Sequence, residues 1–213
     1  MSSQLEKIIT LSTGRGIDIW NAQSAIIRSV SFDASAAGSS ILMIDNEHIL
    51  VLQSQRYMLI INIISGQIKQ KSTLPEPLSS LCVCPKRTYL FAGASSSGHL
   101  YIWHLPTGEM IRRVKAHYKG ISCLYCTPDT SLLFSGGIDG CLSVWNISSL
   151  LNINALYDTS SSILTNTSNN ATSQQYIEQN KPIISFSRHS MPITALCVGL
   201  NPTNIGSVFT ASL

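Results

Sequence analysis

Residues 116–147 read AHYKGISCLYCTPDTSLLFSGGIDGCLSVWNI. Three apolar runs lie in this stretch: Ile121 to Cys126, Leu132 to Ser135 and Cys141 to Ile147. Each is short and ends at turn-forming residues, and Asp139-Gly140 between the second and third is a strong tight-hairpin signal. The stretch therefore predicts three consecutive antiparallel strands. The preceding residues follow the same plan, with LSSLCVCPKRTYLFAG (78–93) lying over ISCLYCTPDTSLLFSG (121–136). Pro85 falls on Pro128, Phe91 on Phe134 and Gly93 on Gly136.

The repetition extends along the chain. Trp20, Ile61, Trp103 and Trp145 stand at steps of 41, 42 and 42 residues, each closing a β-like run: GIDIW, MLII, HLYIW and CLSVW. A period just above 40 with strands inside it is the signature of a β-propeller array, each repeat one blade of four antiparallel strands. A Gly turn follows the marker in Ser65-Gly66-Gln67 and Thr107-Gly108-Glu109, and the fourth strands are expected at Gln67 to Leu74 and Glu109 to Lys115. The expected fold class is thus all-β. The whole chain, 1–213, reads as one partial array, interrupted at 148–181 by a polar insertion between the third and fourth strands of one blade. Blades present surface more often than they perform chemistry, which favours a scaffold over an enzyme.

Composition agrees. The 213 residues are 44% hydrophobic and 12% charged, about half the usual charged fraction of roughly 25%. That suits stacked, mostly buried strands and excludes a disordered chain. A net charge of +3 is too small to argue for nucleic acid or membrane by itself. The start, MSSQLEKIITL, has neither a basic region nor an apolar core of a targeting signal. The most apolar stretch, Met58 to Ile64, is seven residues long, far short of the roughly 18–20 a membrane-spanning helix needs. The expected setting is soluble and intracellular, with no membrane. The Asn-x-Ser/Thr triplets at Asn146, Asn166 and Asn170 then read as chance matches. The six cysteines lie in apolar runs and read as reduced, small hydrophobes.

The candidate sites are few. Cys123-Leu-Tyr-Cys126 has zinc-like spacing, but residues three apart on a strand face opposite sides of the sheet, and no second pair complements it. Cys82 and Cys84 share a face without a partner pair. Gly14-Arg15-Gly16 suits a hairpin turn better than a phosphate cradle. The densest basic run is Arg112, Arg113, Lys115 and Lys119 around Tyr118. It reads either as a solvated edge whose charges deter strand pairing, or as a contact to RNA phosphates or an acidic partner, helped by stacking on Tyr118. The middle of the insertion, DTSSSILTNTSNNATSQQ, is too polar to offset its ordering entropy and reads as a disordered surface loop; a partner-binding or modified loop is the alternative. Ser148 to Leu151 predicts a helical turn at its base. No catalytic residue, metal or cofactor is assigned.

The unit at 116–147 resembles the WD-repeat family. Ala116-His117 stands for the usual Gly-His, followed by Ser135, Asp139 and Trp145. The resemblance implies a hydrogen-bonded tetrad in which Asp139 accepts from His117, the imidazole links to the Ser135 hydroxyl, and that oxygen accepts from Trp145. A buried polar group that loses its partner costs about 1–3 kcal/mol, so such a set is stable only when complete. The competing reading of His117 and Asp139 is a catalytic dyad. Other units depart from the pattern: Ala92 and Ser97 stand where Ser135 and Asp139 would, and the unit ending at Ile63 lacks the tryptophan. In the last unit, His189 matches His117 and Thr210 matches Ser135, and no aspartate follows before Leu213. At the other end, Ile8 to Leu11, Gly16 to Trp20 and Ala25 to Val30 read as second, third and fourth strands without a first. This makes about four and a half blades where the family typically has about seven. The chain is expected to be a fragment or the product of a truncated gene model, poorly soluble alone because of its open edge.

Within the family, the order of HLYIWHLPTGEMI, a tetrad unit opening His-Tyr, a long spacer after WNI, and then FSRHSMPITAL and FTASL is similar to the WD-repeat subunit of the Rix/Ipi complex. That resemblance is concentrated in 78–213. It implies a nuclear, non-catalytic scaffold working with two partner proteins on precursors of the large ribosomal subunit. The implied work is removal of the internal spacer from the rRNA precursor, with clearance by the AAA ATPase midasin. A WD-repeat adaptor of another pathway, such as a ubiquitin-ligase substrate receptor, is the alternative.

Overall fold

A computed structural model of the chain describes residues 7–12, 16–21, 27–30, 38–53, 57–86, 88–151, 181–200 and 206–212. They form seventeen strands and one short helix, and divide into two compact units, Met1–Leu78 and Ser79–Leu213.

The first unit holds two antiparallel sheets. One has three strands, β1 (Lys7–Ser12), β2 (Gly16–Asn21) and β3 (Ile27–Val30); the other has four, β4 (Gly38–Met43), β5 (His48–Gln53), β6 (Tyr57–Asn62) and β7 (Ile68–Thr73). Ile17 and Ile19 of the first pack with Ile49, Val51, Leu59 and Ile61 of the second. Among the described residues the first sheet has three strands, with Trp20 on the middle one.

The second unit begins with β8 (Leu78–Val83), β9 (Tyr89–Ala94), β10 (His99–His104) and β11 (Glu109–Lys115), paired in that order. The next sheet is β12 (Ile121–Cys126), β13 (Leu132–Gly137), β14 (Cys141–Asn146) and β15 (Ile184–Ser187). A strand pair follows, β16 (Ile193–Leu200) with β17 (Gly206–Ser212). The helix α1 (Ile147–Leu151) forms the expected helical turn after β14. The rest of the insertion, 152–180, lies outside the described residues, as do Gly14 and Arg15.

Burial explains the sequence pattern. Central strands β9 and β13 are covered on both faces, so they read as continuous apolar runs rather than alternations. Outer strand β11 alternates, with Arg112 and Val114 buried and Arg113 and Lys115 exposed. Two clusters fill the junctions of the second unit. Phe91, Leu100, Val114, Leu133 and Trp145 share one, and Phe134, Leu142, Val144 and Ile193 share the other.

A small device recurs at these junctions. A β-bulge between Ile121 and Cys123 leaves Ser122 out of register, and its single hydroxyl proton is shared between the Gly136 carbonyl of its own sheet, 3.0 Å away, and the Ile193 carbonyl of the following strand pair. Ser79 does the same toward Gly93 at 3.3 Å and toward Ile121. Each bridge needs a glycine beside it. A Cβ on Gly136 would sit 2.5 Å from Cys123 Sγ and 2.9 Å from Ile193 Cγ2, so the sheets approach closer there than any side chain allows.

Candidate functional site

The four residues His117, Ser135, Asp139 and Trp145 come together at one end of the β12–β15 sheet. His117 lies in the β11–β12 loop, Ser135 in mid-β13, Asp139 in the β13–β14 hairpin and Trp145 near the end of β14. The hairpin holds its shape because Gly140 takes φ 77°, a left-handed conformation that favours glycine. The His117 Nδ1–H donates to Asp139 Oδ1 at 3.1 Å. In that tautomer Nε2 accepts from the Ser135 hydroxyl at 2.8 Å, and Ser135 Oγ accepts from Trp145 Nε1–H at 3.0 Å. Every proton in the chain is used once. The carboxylate also caps two backbone N–H groups, Tyr118 at 2.8 Å and Cys141 at 3.1 Å. Burial opposes its charge, but those N–H groups and the His117 ring outweigh burial and bring the Asp139 carboxyl below its ordinary value.

Ser, His and Asp linked in this order have the connectivity of a hydrolytic triad. Access decides against that chemistry: Ser135 is 0% exposed, and its oxygen is already occupied by the indole. The set is a brace that ties a loop, two strands and a hairpin together.

Partial versions appear in two other sheets. His189 Nε2 lies 2.7 Å from Thr210 Oγ1, and its Nδ1 meets the Ser212 hydroxyl at 2.9 Å, where the full set has aspartate. Trp20 Nε1–H donates to Thr10 Oγ1 at 3.0 Å. Thr10 escaped sequence reasoning although it precedes Trp20 by ten residues, as Ser135 precedes Trp145. Ile61 and Trp103 hold the same marker place by packing, at 0% and 5% exposure.

The basic run divides. Arg112 is corrected: it is buried, and its guanidinium donates to the carbonyls of Ser149 at 3.0 Å and Leu150 at 2.9 Å, capping the end of α1. It is therefore unavailable to RNA or a partner. Arg113, Lys115, Tyr118 and Lys119 are exposed.

The cysteines separate as strand geometry requires. Cys123 packs with Phe134 and Ile193, and Cys126 faces the opposite junction with Leu133 and Trp145. What sequence reasoning missed is that Cys126 there meets Cys82 and Cys84 of the neighbouring sheet. Burial pushes the Cys82 thiol up to about 11 and raises Cys126 further, with both neighbouring cysteines adding to the effect. Among the described residues no group of three or more His, Cys, Asp or Glu is placed to hold a metal ion, and no helix is long and apolar enough to cross a membrane.

The family model described as WD domain, G-beta repeat matches residues 68–104 and 108–146. Among solved structures, a chain of a mitotic checkpoint complex superposes with TM-score 0.70 at 16% identity, over 97% of this chain and 53% of that one. A computationally designed protein, Ika8, superposes with TM-score 0.65 at 14% identity, over 92% of this chain and 51% of that one. These likenesses concern the fold. The family model and the braced sheets together show WD repeats in this chain, and the structural likenesses show a fold of the β-propeller type with four-stranded antiparallel blades.

Its relatives then narrow the type. The Schizosaccharomyces pombe pre-rRNA-processing protein crb3/ipi3 is 32% identical over 166 residues, 78% of this chain and 33% of the relative. WD repeat-containing protein 18 of Danio rerio is 28% identical over 181 residues, 84% of this chain and 36% of the relative. The chain is similar to the Ipi3 and WD repeat-containing protein 18 type of WD-repeat protein, and spans about a third of the length of these curated relatives.

Proposed function

We propose that this chain serves as a non-catalytic scaffold in a nuclear complex that matures the large ribosomal subunit and supports removal of the internal spacer from the rRNA precursor. The observation that carries the reading is the similarity, over more than three quarters of the chain, to a relative named for pre-rRNA processing. The sealed brace supports the non-catalytic part. Rigid sheets hold loops at fixed angles, and affinity in such proteins comes from a few buried anchors rather than total area. The partners we propose are the other subunits of the Rix/Ipi-type complex, precursors of the large subunit, and a midasin-type AAA ATPase.

Affinity purification of the tagged chain from nuclear extract, followed by mass spectrometry, tests this. Recovery of large-subunit precursors with Rix/Ipi-type subunits supports it. Recovery of ubiquitin-ligase subunits instead, or of neither set, refutes it.

A further inference from the structure

One end of the second unit has a charge pattern that the brace does not explain. Four connections meet there: 95–98, 116–120, 138–140 and 188–192. They form one surface, since Gly98 O accepts from the N–H of Ala116 and His117 at 3.0 Å and Gly120 O accepts from Ile138 N–H at 2.8 Å. A side chain on Gly140 would collide with the His189 carbonyl. Lys115, Lys119 and Arg188 are exposed on or beside these connections, and Arg113 is exposed one pleat along β11. Among the described residues of these connections the only acid is Asp139, whose carboxylate is taken by His117 and two backbone N–H groups. Glu109, at the start of β11, and Asp129, in the β12–β13 turn, lie at the opposite end of their sheets.

Tyr118 stands among these cations and is 90% exposed. Its backbone N–H is bound to Asp139 Oδ2 at 2.8 Å, so the ring projects from a fixed base. Arg113 and Lys115 occupy alternate positions on one face of β11, about 6.5 Å apart along the strand. Lys115 Nζ donates to the Ser97 carbonyl, which leaves two of its three donors for another acceptor. A cationic track beside an uncovered aromatic ring matches the needs of a single nucleic-acid strand, whose phosphates take the cations while a base stacks on the ring. An acidic peptide would satisfy the cations and give the ring little to do.

We propose that Arg113, Lys115, Lys119 and Tyr118 form a binding surface for single-stranded RNA. That the RNA is a ribosomal precursor rests on the function proposed above; the surface itself does not. The test is fluorescence anisotropy of a labelled oligouridylate with the full chain across a salt series. Tyr118→Ala should weaken binding about tenfold. The double variant Lys115→Gln, Lys119→Gln should make the slope of log K against log salt shallower by about 1.4, at about 0.7 per phosphate. Lys86→Gln, at the opposite end of the sheet, should change neither. The proposal is overturned if the oligouridylate does not bind at low salt, if Tyr118→Ala binds equally well, if Lys86→Gln weakens binding as much, or if polyglutamate displaces the RNA at equal charge. Copurification separates the two readings. A chain that binds oligouridylate but recovers no assembly factors keeps this surface and loses the proposed function, and one that recovers them without binding RNA does the reverse.

Discussion

Removing the imidazole of His117 tests the brace most directly. In His117→Ala, the Ser135 hydroxyl, 0% exposed in the intact chain, loses its acceptor. An orphaned buried hydroxyl costs about 1–3 kcal/mol. Asp139 keeps the N–H groups of Tyr118 and Cys141 and is partly open to solvent, so it adds little. The space left by a ring whose side chain is 1% exposed adds a packing loss, for a total of about 2–4 kcal/mol. For a chain of this size that is a fall in Tm of roughly 4–16 °C, measured by thermal melting followed by tryptophan fluorescence. Because Ser135 and His117 share one bond, Ser135→Ala combined with His117→Ala should cost less than the sum of the two. Acid provides a second readout. The folded-state pKa of Asp139 lies below its ordinary 3.8, so the stability it carries is whole above pH 3.8 and is lost as pH falls through the folded value. That acid limb should be shallower in His117→Ala. A loss under 0.5 kcal/mol, or strict additivity with Ser135→Ala, would refute the reasoning.

Three other outcomes follow from the geometry. Gly136→Ala places a methyl 2.5 Å from Cys123 Sγ and should destabilise by about 1–3 kcal/mol through overpacking, read by chemical denaturation; an unchanged midpoint would mean that the junction is looser than described. Arg112→Met keeps the buried stem and removes both carbonyl contacts, and should expose the chain near Leu151 to limited proteolysis while leaving oligouridylate affinity unchanged. Iodoacetamide at neutral pH should label the exposed Cys197 well before the half-buried Cys82 and the buried Cys126, whose thiols resist ionisation, and mass spectrometry of the folded chain gives the order directly. The stability tied to those two thiols is whole below pH 9 and declines as pH rises through their folded-state values.

Much of this architecture can be read without coordinates because one residue type reports several constraints at once. A tryptophan at the marker position must fill a junction and also donate its N–H, so Trp145 and Trp20 point to a hydroxyl ten residues earlier. Ile61 fills without donating, which is why its partner position, Val51, is apolar and 0% exposed. Arg112 was misread because an arginine next to another arginine suggests a surface. Its parity with Val114 carried the opposite message, and only the carbonyls at the end of α1 show what a buried guanidinium would bind. The meeting of Cys126 with Cys82 and Cys84 depends on how two sheets face each other across a junction, which strand patterning within either sheet does not encode. Ser79 and Ser122 were legible as a repeat but not as bridges, since the bulge that turns Ser122 toward its neighbour leaves no mark in the composition.

The guanidinium clamp on α1 has a consequence for how the insertion is anchored. By fastening the first turn beyond Asn146 to the neighbouring β11, Arg112 insulates the adjacent hydrophobic seam from events further along. The chain rejoins the same sheet at β15, paired with β14 from Ile184 to Ser187, so clamp and pairing together fix where the insertion leaves and where it returns.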